Sequence, residues 1–84
     1  MEYSFHFTPF FEKQLRKFKR KDAVLFERLT KKLKEIRINP EHYKPLGNVL
    51  SGCRRVHLDP FVIIFEIKDD LIIVHYVKHH NEAY

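Results

Sequence analysis

Two histidines in the second half of this 84-residue sequence, His57 and His80, are the side chains best suited to proton transfer near neutral pH. Strand parity places Arg55, His57 and Asp59 on one face of the stretch that contains them, because successive side chains of a strand point to opposite faces. His80 follows the last strand-like stretch together with Lys78, and a returning tail would bring it beside His57. Cations, two imidazoles and a carboxylate could then flank one phosphate.

These groups match the requirements of metal-free RNA cleavage. One group removes the proton of a 2′-hydroxyl, another protonates the departing 5′ oxygen, and cations stabilise the charged phosphorane. The other histidines, His6, His42 and His75, are expected at strand or loop surfaces. A metal site made of His75, His79 and His80 is an alternative, although adjacent histidines project differently and no further ligand completes the set. We therefore expect neither a metal nor a cofactor.

The distribution of charge favours a polyanionic partner. The net charge is +5 and the calculated pI is about 9.5. Residues 1–21 carry +4, residues 22–58 carry +4 and residues 59–84 carry −3. A basic helical half of this kind is typical of proteins that bind RNA or DNA. The alternative is a solvated lysine-rich face without a partner.

The composition limits the compartment and the number of domains. A chain of 84 residues with 44% hydrophobic content can bury one core, so residues 1–84 are predicted to form a single domain. Cys53 is the only cysteine, which excludes an intramolecular disulfide and favours a reducing compartment. The longest apolar run, Phe61 to Phe65, is far shorter than the roughly 18–20 residues that cross a bilayer. We expect a cytoplasmic protein without a membrane partner.

The first half of the sequence predicts a strand and two helices. Tyr3, Phe5 and Phe7 alternate with polar residues, as in a half-buried strand. Thr8, followed by proline, predicts the start of a helix, and Asp22 predicts the start of a second one. The apolar stripes of the two helices are Phe11, Leu15 and Phe18, and then Phe26, Leu29, Leu33 and Ile36, widened by Leu25.

The second half predicts a loop and three strands. Asn39-Pro40 ends the second helix, and residues 40–53 contain both glycines and predict a loop. Strand-like stretches follow at 54–58, 61–67 and 71–77. This order predicts an α+β fold with an N-terminal strand, a two-helix hairpin and a three-stranded antiparallel meander. We expect one antiparallel sheet that the helices cover on one face, with the other face open to a ligand.

Three stretches resemble the YafQ-like branch of the RelE/ParE toxin superfamily. They are Pro45-Leu46-Gly47, the run from Ser51 to Phe65 that contains the glycine-x-arginine-x-x-histidine pattern, and the tail from Lys78 to Tyr84, in which a histidine precedes a terminal aromatic residue by four positions. The resemblance implies a toxin of a type II toxin–antitoxin system that cuts mRNA in the ribosomal A site without a metal. It also implies a cognate antitoxin with a RelB/DinJ-like helical segment.

The resemblance further implies roles for individual residues. His57 and His80 would be the acid/base pair, Asp59 would orient or assist His57, and Tyr84 would stack on a base or contact the phosphate. The candidate RNA- and phosphate-binding residues are Lys44, Arg54, Arg55 and Lys78. In the RelE pattern an arginine follows the aromatic residue of the central strand, whereas this sequence has Val62, so the histidine-based mechanism is preferred. The alternatives are a ParE-like toxin that inhibits DNA gyrase through protein contacts and a catalytically weak remnant that binds an antitoxin.

Overall fold

The computed structural model describes residues 3–45 and 52–80. In this part of the chain the elements, in order, are β1 (Ser4–Phe7), α1 (Pro9–Lys21), α2 (Ala23–Ile38), a 3₁₀ turn (Pro40–His42), β2 (Cys53–Leu58), β3 (Phe61–Lys68) and β4 (Leu71–His79). The predicted α+β fold, with a strand, two helices and three further strands, is therefore confirmed. Neither of the helices in the described residues has the length and apolar character needed to cross a membrane.

Both helices begin at the residues that the sequence predicts. The Thr8 hydroxyl accepts a hydrogen bond from the backbone N–H of Phe11 at 3.1 Å, and Asp22 does the same for Leu25 at 3.1 Å. The N–H of Asp22 also donates to the carbonyl of Phe18 at 2.7 Å, so one residue ends α1 and caps α2. This shared cap sets the tight connection between the two helices.

The sheet is mixed, which corrects the expectation of a wholly antiparallel sheet. The strand order is β1-β4-β3-β2, and the two pairs made by β3 are antiparallel. In contrast, β1 pairs with β4 in parallel, with Ser4 opposite Leu71 and Phe7 opposite Val74. Two tight turns make β2 and β4 run in the same direction, and β1 joins the edge beside β4 in that direction too. The alternation of apolar and polar residues in β1 predicts a strand but carries no information about its neighbour or direction.

The core lies between the helices and one face of the sheet, here called the inner face. Leu25 contributes to the α2 stripe in place of Phe26, which is only half-buried. The buried members of this core are Phe11, Leu25, Leu29, Leu33, Ile36, Val56, Leu58, Ile63, Phe65, Ile72, Val74 and Val77. Since α2 supplies four of them, the helical hairpin is fixed to the sheet mainly by apolar burial.

The free edge of β4 is closed by a side chain of α1. β1 covers only residues 71–74 of β4, and beyond them the Thr8 hydroxyl donates to the carbonyl of His75 at 2.8 Å. Gln14 Nε2 donates to the carbonyl of Val77 at 2.8 Å, and Gln14 Oε1 accepts from the N–H of Val77 at 2.8 Å. The amide of Gln14 thus replaces a neighbouring strand, which protects an edge that could otherwise pair with another chain.

Replacing Gln14 should therefore destabilise the fold more than changes at the exposed positions of α1. Gln14→Ala leaves the N–H and the carbonyl of Val77 without their partner, and we expect the free energy of unfolding to fall by about 1–3 kcal/mol. Lys17→Ala, an exposed change on the same helix, should stay within about 0.5 kcal/mol. Urea denaturation measures both, and equal effects of the two substitutions would refute the role given to Gln14.

Candidate active site

The candidate site lies on the outer face of the sheet, opposite the helices. Its floor is formed by two apolar residues of β3: Val62 is 0% exposed and Ile64 is 1% exposed. In the strand register Val62 pairs with His57 of β2 on one side and with Lys78 of β4 on the other. Ile64 pairs with Arg55 of β2. Polar and basic side chains of the flanking strands thus border an apolar floor.

His57 and His80 lie side by side at one end of this face. Their ring centroids are 6.1 Å apart and the ring planes are inclined by 44°. His80 is held in place by its backbone N–H, which donates to the carbonyl of Pro60 at 2.7 Å in the turn that follows β2. Both histidines are exposed. At this separation both imidazoles can approach one bound group to the hydrogen-bond distance of about 2.6–3.2 Å that proton transfer requires.

A basic groove runs along the outer strand of the sheet, and we call it the β2 groove. Its volume is about 460 Å³, and its lining residues are His42, Tyr43, Lys44, Arg55, Val56 and His57. The segment that contains Lys44 is hydrogen-bonded to β2, because the N–H of Arg55 donates to the carbonyl of Lys44 at 3.3 Å. The structure therefore brings together Lys44, Arg55 and His57, three of the residues named as candidates from the sequence. The sequence analysis did not predict His42 in this groove. Its position two residues before Lys44 could have indicated it.

Arg54 does not join this group. Strand parity gives it the inner side of β2, and its guanidinium donates to the carbonyl of Tyr43 at 2.7 Å and to that of Glu41 at 3.5 Å. Arg54 thus has a structural role in this part of the fold, and its binding of phosphate stays a prediction. Its side chain fastens the segment that carries Lys44 to β2 and so shapes the β2 groove.

The remaining predicted residues differ in their position. Lys78 lies on the outer face across Val62 from His57, and it borders a second groove beside Phe10. Asp59 lies in the exposed turn between β2 and β3. Although both residues are among those described, its carboxylate forms no hydrogen bond with the ring of His57. Tyr84 lies outside the described residues, as do positions 46, 47 and 51 of the resemblance.

A second polar cluster occupies the other end of the outer face. Cys53 pairs with Glu66 in the β2–β3 register, and Nε2 of His75 in β4 lies 2.7 Å from Oε1 of Glu66. Burial, and then the negative charge of Glu66, raise the pKa of the Cys53 thiol. Among the described residues, these three form the group whose ligand atoms are close enough to share a metal ion, all within 4.8 Å of one another.

The histidines considered as an alternative metal site diverge. His75 is engaged with Glu66, the ring of His79 packs edge-on against Phe61 with 5.4 Å between centroids, and His80 lies beside His57. The sequence did contain a signal for the observed cluster, because each of three successive strands carries at least one residue of a type that binds metals. Their convergence depends on register, which the sequence pattern does not give.

A mixed sheet backed by a helical hairpin is the fold of a class of small toxins. The model of the family described as ParE toxin of type II toxin–antitoxin systems matches residues 5–84. The chain belongs to this family, and the predicted membership of the RelE/ParE superfamily is confirmed. A protein of Methanocaldococcus jannaschii named RelE4 is 34% identical over 85 residues, which cover 98% of this chain and 90% of that protein.

Solved structures share the fold at lower identity. A chain of the RelBE2 toxin–antitoxin complex from Mycobacterium tuberculosis has a TM-score of 0.81 and 18% identity, covering 94% of this chain and 99% of that one. The YoeB dimer from Staphylococcus aureus gives 0.79 and 17%, with coverage of 95% and 99%. The intact RelBE complex of E. coli gives 0.75 and 24%, with coverage of 92% and 95%. At these identities the likeness establishes the fold alone.

The different positions of Arg54 and Lys44 lead to a prediction about stability. Arg54→Gln removes the charged hydrogen bond to the carbonyl of Tyr43, so the free energy of unfolding should fall by about 1–3 kcal/mol. Lys44→Gln removes the same charge from an exposed side chain and should change it by less than about 0.5 kcal/mol. Denaturant unfolding of both variants tests this, and a smaller loss for Arg54→Gln than for Lys44→Gln would contradict the structural role.

Proposed function

We propose that this toxin is an mRNA endoribonuclease that acts on the ribosome by metal-free attack of a 2′-hydroxyl on the adjacent phosphate. The observation that carries the proposal is the exposed pair of His57 and His80, 6.1 Å between ring centroids, beside the basic β2 groove. The M. jannaschii relative named RelE4 and the fold shared with RelE and YoeB toxins support it.

The two imidazoles divide the proton transfers between them. One, in its neutral form, takes the proton of the 2′-hydroxyl, and the 2′ oxygen bonds to phosphorus. The other, in its protonated form, donates to the 5′ oxygen as the bond from phosphorus to that oxygen breaks. The products are a 2′,3′-cyclic phosphate and a free 5′-hydroxyl. Imidazole suits both steps because it exchanges protons near neutral pH.

Positive charge reaches the phosphate from the sides of the site. Val62 occupies the position where the RelE pattern has an arginine, and it is fully buried in the floor. Arg55 and Lys78 border that floor from β2 and β4, and Lys44 lines the β2 groove. These cations would bind the RNA backbone and stabilise the charge that develops on the phosphorane. Asp59 makes no hydrogen bond to His57 within the described residues, so the proposal gives both proton transfers to histidines.

Substitution of the two histidines tests the mechanism. His57→Gln and His80→Gln should each lower mRNA cleavage by about 10²–10⁴-fold, because each removes one general acid or base. The double variant should lose little more than the worse single one, since the two groups act as a unit. Primer extension on a translated mRNA, with and without ribosomes, gives the cleavage rate and the dependence on translation.

His6→Gln is the matched control for this experiment. His6 is also an exposed histidine of the sheet, but it lies on β1, three strand spacings or roughly 14 Å from β2. Its removal should leave cleavage unchanged. A His57/His80 double variant that cuts mRNA at the wild-type rate would show that the proposed chemistry is wrong.

Inhibition of DNA gyrase is the second candidate function, and the match to the ParE toxin family favours it. Such an inhibitor acts through protein contacts and has no need of the imidazole pair. A gyrase supercoiling assay separates the two functions: inhibition that the His57/His80 double variant retains, without mRNA cleavage by the wild type, would establish the second. Loss of both activities with intact antitoxin binding would identify a catalytically weak remnant.

We further propose that the antitoxin covers the exposed face of α1. Phe10 is 60% exposed there, and it lines a groove of about 540 Å³ with four basic residues of the helix: Lys13, Arg16, Lys17 and Arg20. An acidic, amphipathic helical segment complements an aromatic anchor surrounded by positive charge. The M. tuberculosis and E. coli structures are complexes of related folds with their antitoxins.

Phe10→Asp should weaken the complex with the antitoxin at least tenfold, because it removes the apolar anchor and adds a charge that repels an acidic partner. Val24→Asp is the matched control, since Val24 is also an exposed apolar residue, at 71%, but belongs to α2. Titration of labelled antitoxin measures both affinities. Equal affinity for the two variants would place the antitoxin elsewhere.

A further inference from the structure

The cluster of Cys53, Glu66 and His75 joins the three strands β2, β3 and β4 on the outer face. Cys53 and Glu66 are direct partners in the register, and Nε2 of His75 lies 2.7 Å from Oε1 of Glu66. All three side chains are half-buried, with 33% of His75 and 34% of Glu66 exposed. One sulfur, one nitrogen and one carboxylate oxygen therefore face one another at the sheet surface, where an ion can reach them.

A β-bulge brings His75 into this cluster. The β3–β4 register shifts between Ile64 and Phe65, which pair with Tyr76 and Val74, so that His75 is the extra residue. Val74 and Val77 both belong to the core although they are three positions apart, which a regular strand does not allow. Bulges of this kind redirect a side chain, and here the redirected side chain is an imidazole that meets a carboxylate.

We propose that Cys53, Glu66 and His75 bind a divalent transition metal ion, with Zn²⁺ as the best fit. The ligand atoms lie within 4.8 Å of one another, and around tetrahedral Zn²⁺ they would be roughly 3.5 Å apart, so small side-chain rotations close the site. Thiolate, imidazole and carboxylate together suit Zn²⁺ or Co²⁺, whereas Mg²⁺ and Ca²⁺ prefer oxygen ligands alone. Three protein ligands leave the fourth position to water.

The site is separate from the one proposed to cleave RNA. Cys53 precedes His57 by four positions on β2, which corresponds to roughly 13 Å along the strand. The metal therefore takes no part in the proton transfers assigned to the histidines, and its presence does not depend on that proposal. Its effect is to link three strands of the native state. Because the unfolded chain lacks this arrangement, binding should raise the thermal stability of the toxin.

The test uses the full chain, freed of metal with a chelator and kept reduced with a phosphine. Co²⁺ should bind with one ion per chain and produce the thiolate-to-cobalt charge-transfer absorption together with the visible bands of tetrahedral Co²⁺. Excess Zn²⁺ should displace it and raise the melting temperature by several degrees. Cys53→Ser should abolish the charge-transfer band, and His75→Gln and Glu66→Gln should each weaken Zn²⁺ binding at least tenfold.

Two controls make the result specific. The His57/His80 double variant removes the other imidazole pair of the outer face and should keep the full cobalt spectrum. Circular dichroism of the metal-free Cys53→Ser and His75→Gln variants verifies that they are folded, and Glu66→Gln gives an independent measurement if either is not. Absence of the charge-transfer band in the wild type, Zn²⁺ affinity unaltered by the ligand substitutions, or one ion shared by two chains would each overturn the proposal.

Discussion

The burial of β3 on both faces is the constraint on which the rest of the structure depends. Four consecutive residues of this strand, Val62 to Phe65, are at most 1% exposed. Antiparallel sheets with one solvated face usually alternate apolar and polar residues, whereas this run is apolar throughout, like a strand buried between two layers. Ile63 and Phe65 belong to the core beneath the helices, and Val62 and Ile64 form the floor of the outer face. Between positions 62 and 65, β3 therefore contributes no polar side chain to the outer face.

The polar side chains of the outer face consequently lie on the flanking strands and at the two ends of the sheet. At one end the turn at Pro60 holds the backbone of His80, which places its ring beside His57. At the other end the run of buried residues stops at Glu66, and the bulge directs His75 toward it. The floor of Val62 and Ile64 thus separates two polar sites. An apolar floor also lowers the local dielectric, which strengthens the attraction between flanking cations and a bound phosphate.

Features that depend on local interactions were predictable from the sequence, and features that depend on register were not. Thr8 and Asp22 cap their helices through neighbours three residues away, so their roles follow from residue type and spacing. The approach of His57 and His80 was also predicted, and its reason is that the first and third strands of a meander end at the same edge of the sheet. The parallel pairing of β1 and the bulge at His75 were not predictable, since both depend on tertiary packing of the whole sheet.

Arg54 shows how a family resemblance and strand parity can disagree. Parity placed it on the same side as Val56, away from Arg55 and His57, whereas the resemblance grouped the two arginines as phosphate ligands. The position of Arg54 agrees with parity, because its guanidinium donates to the backbone carbonyl of Tyr43, while phosphate binding by Arg54 stays a prediction. Of the two neighbouring arginines, Arg54 therefore holds the segment that lines the β2 groove, and Arg55 lines the groove itself. Parity located the side chain of Arg54 because it rests on the backbone geometry of a regular strand.

The fold alone does not decide between RNA cleavage and inhibition by protein contacts, because one fold can carry unrelated functions. The imidazole pair does bear on the choice. His57 and His80 are exposed, and among the described residues neither ring forms a hydrogen bond that would stabilise the native state. The fold gains no hydrogen bond from placing the two rings together, whereas two proton transfers at one phosphate require that placement. A protein-contact inhibitor would have no use for it, and this asymmetry favours RNA cleavage.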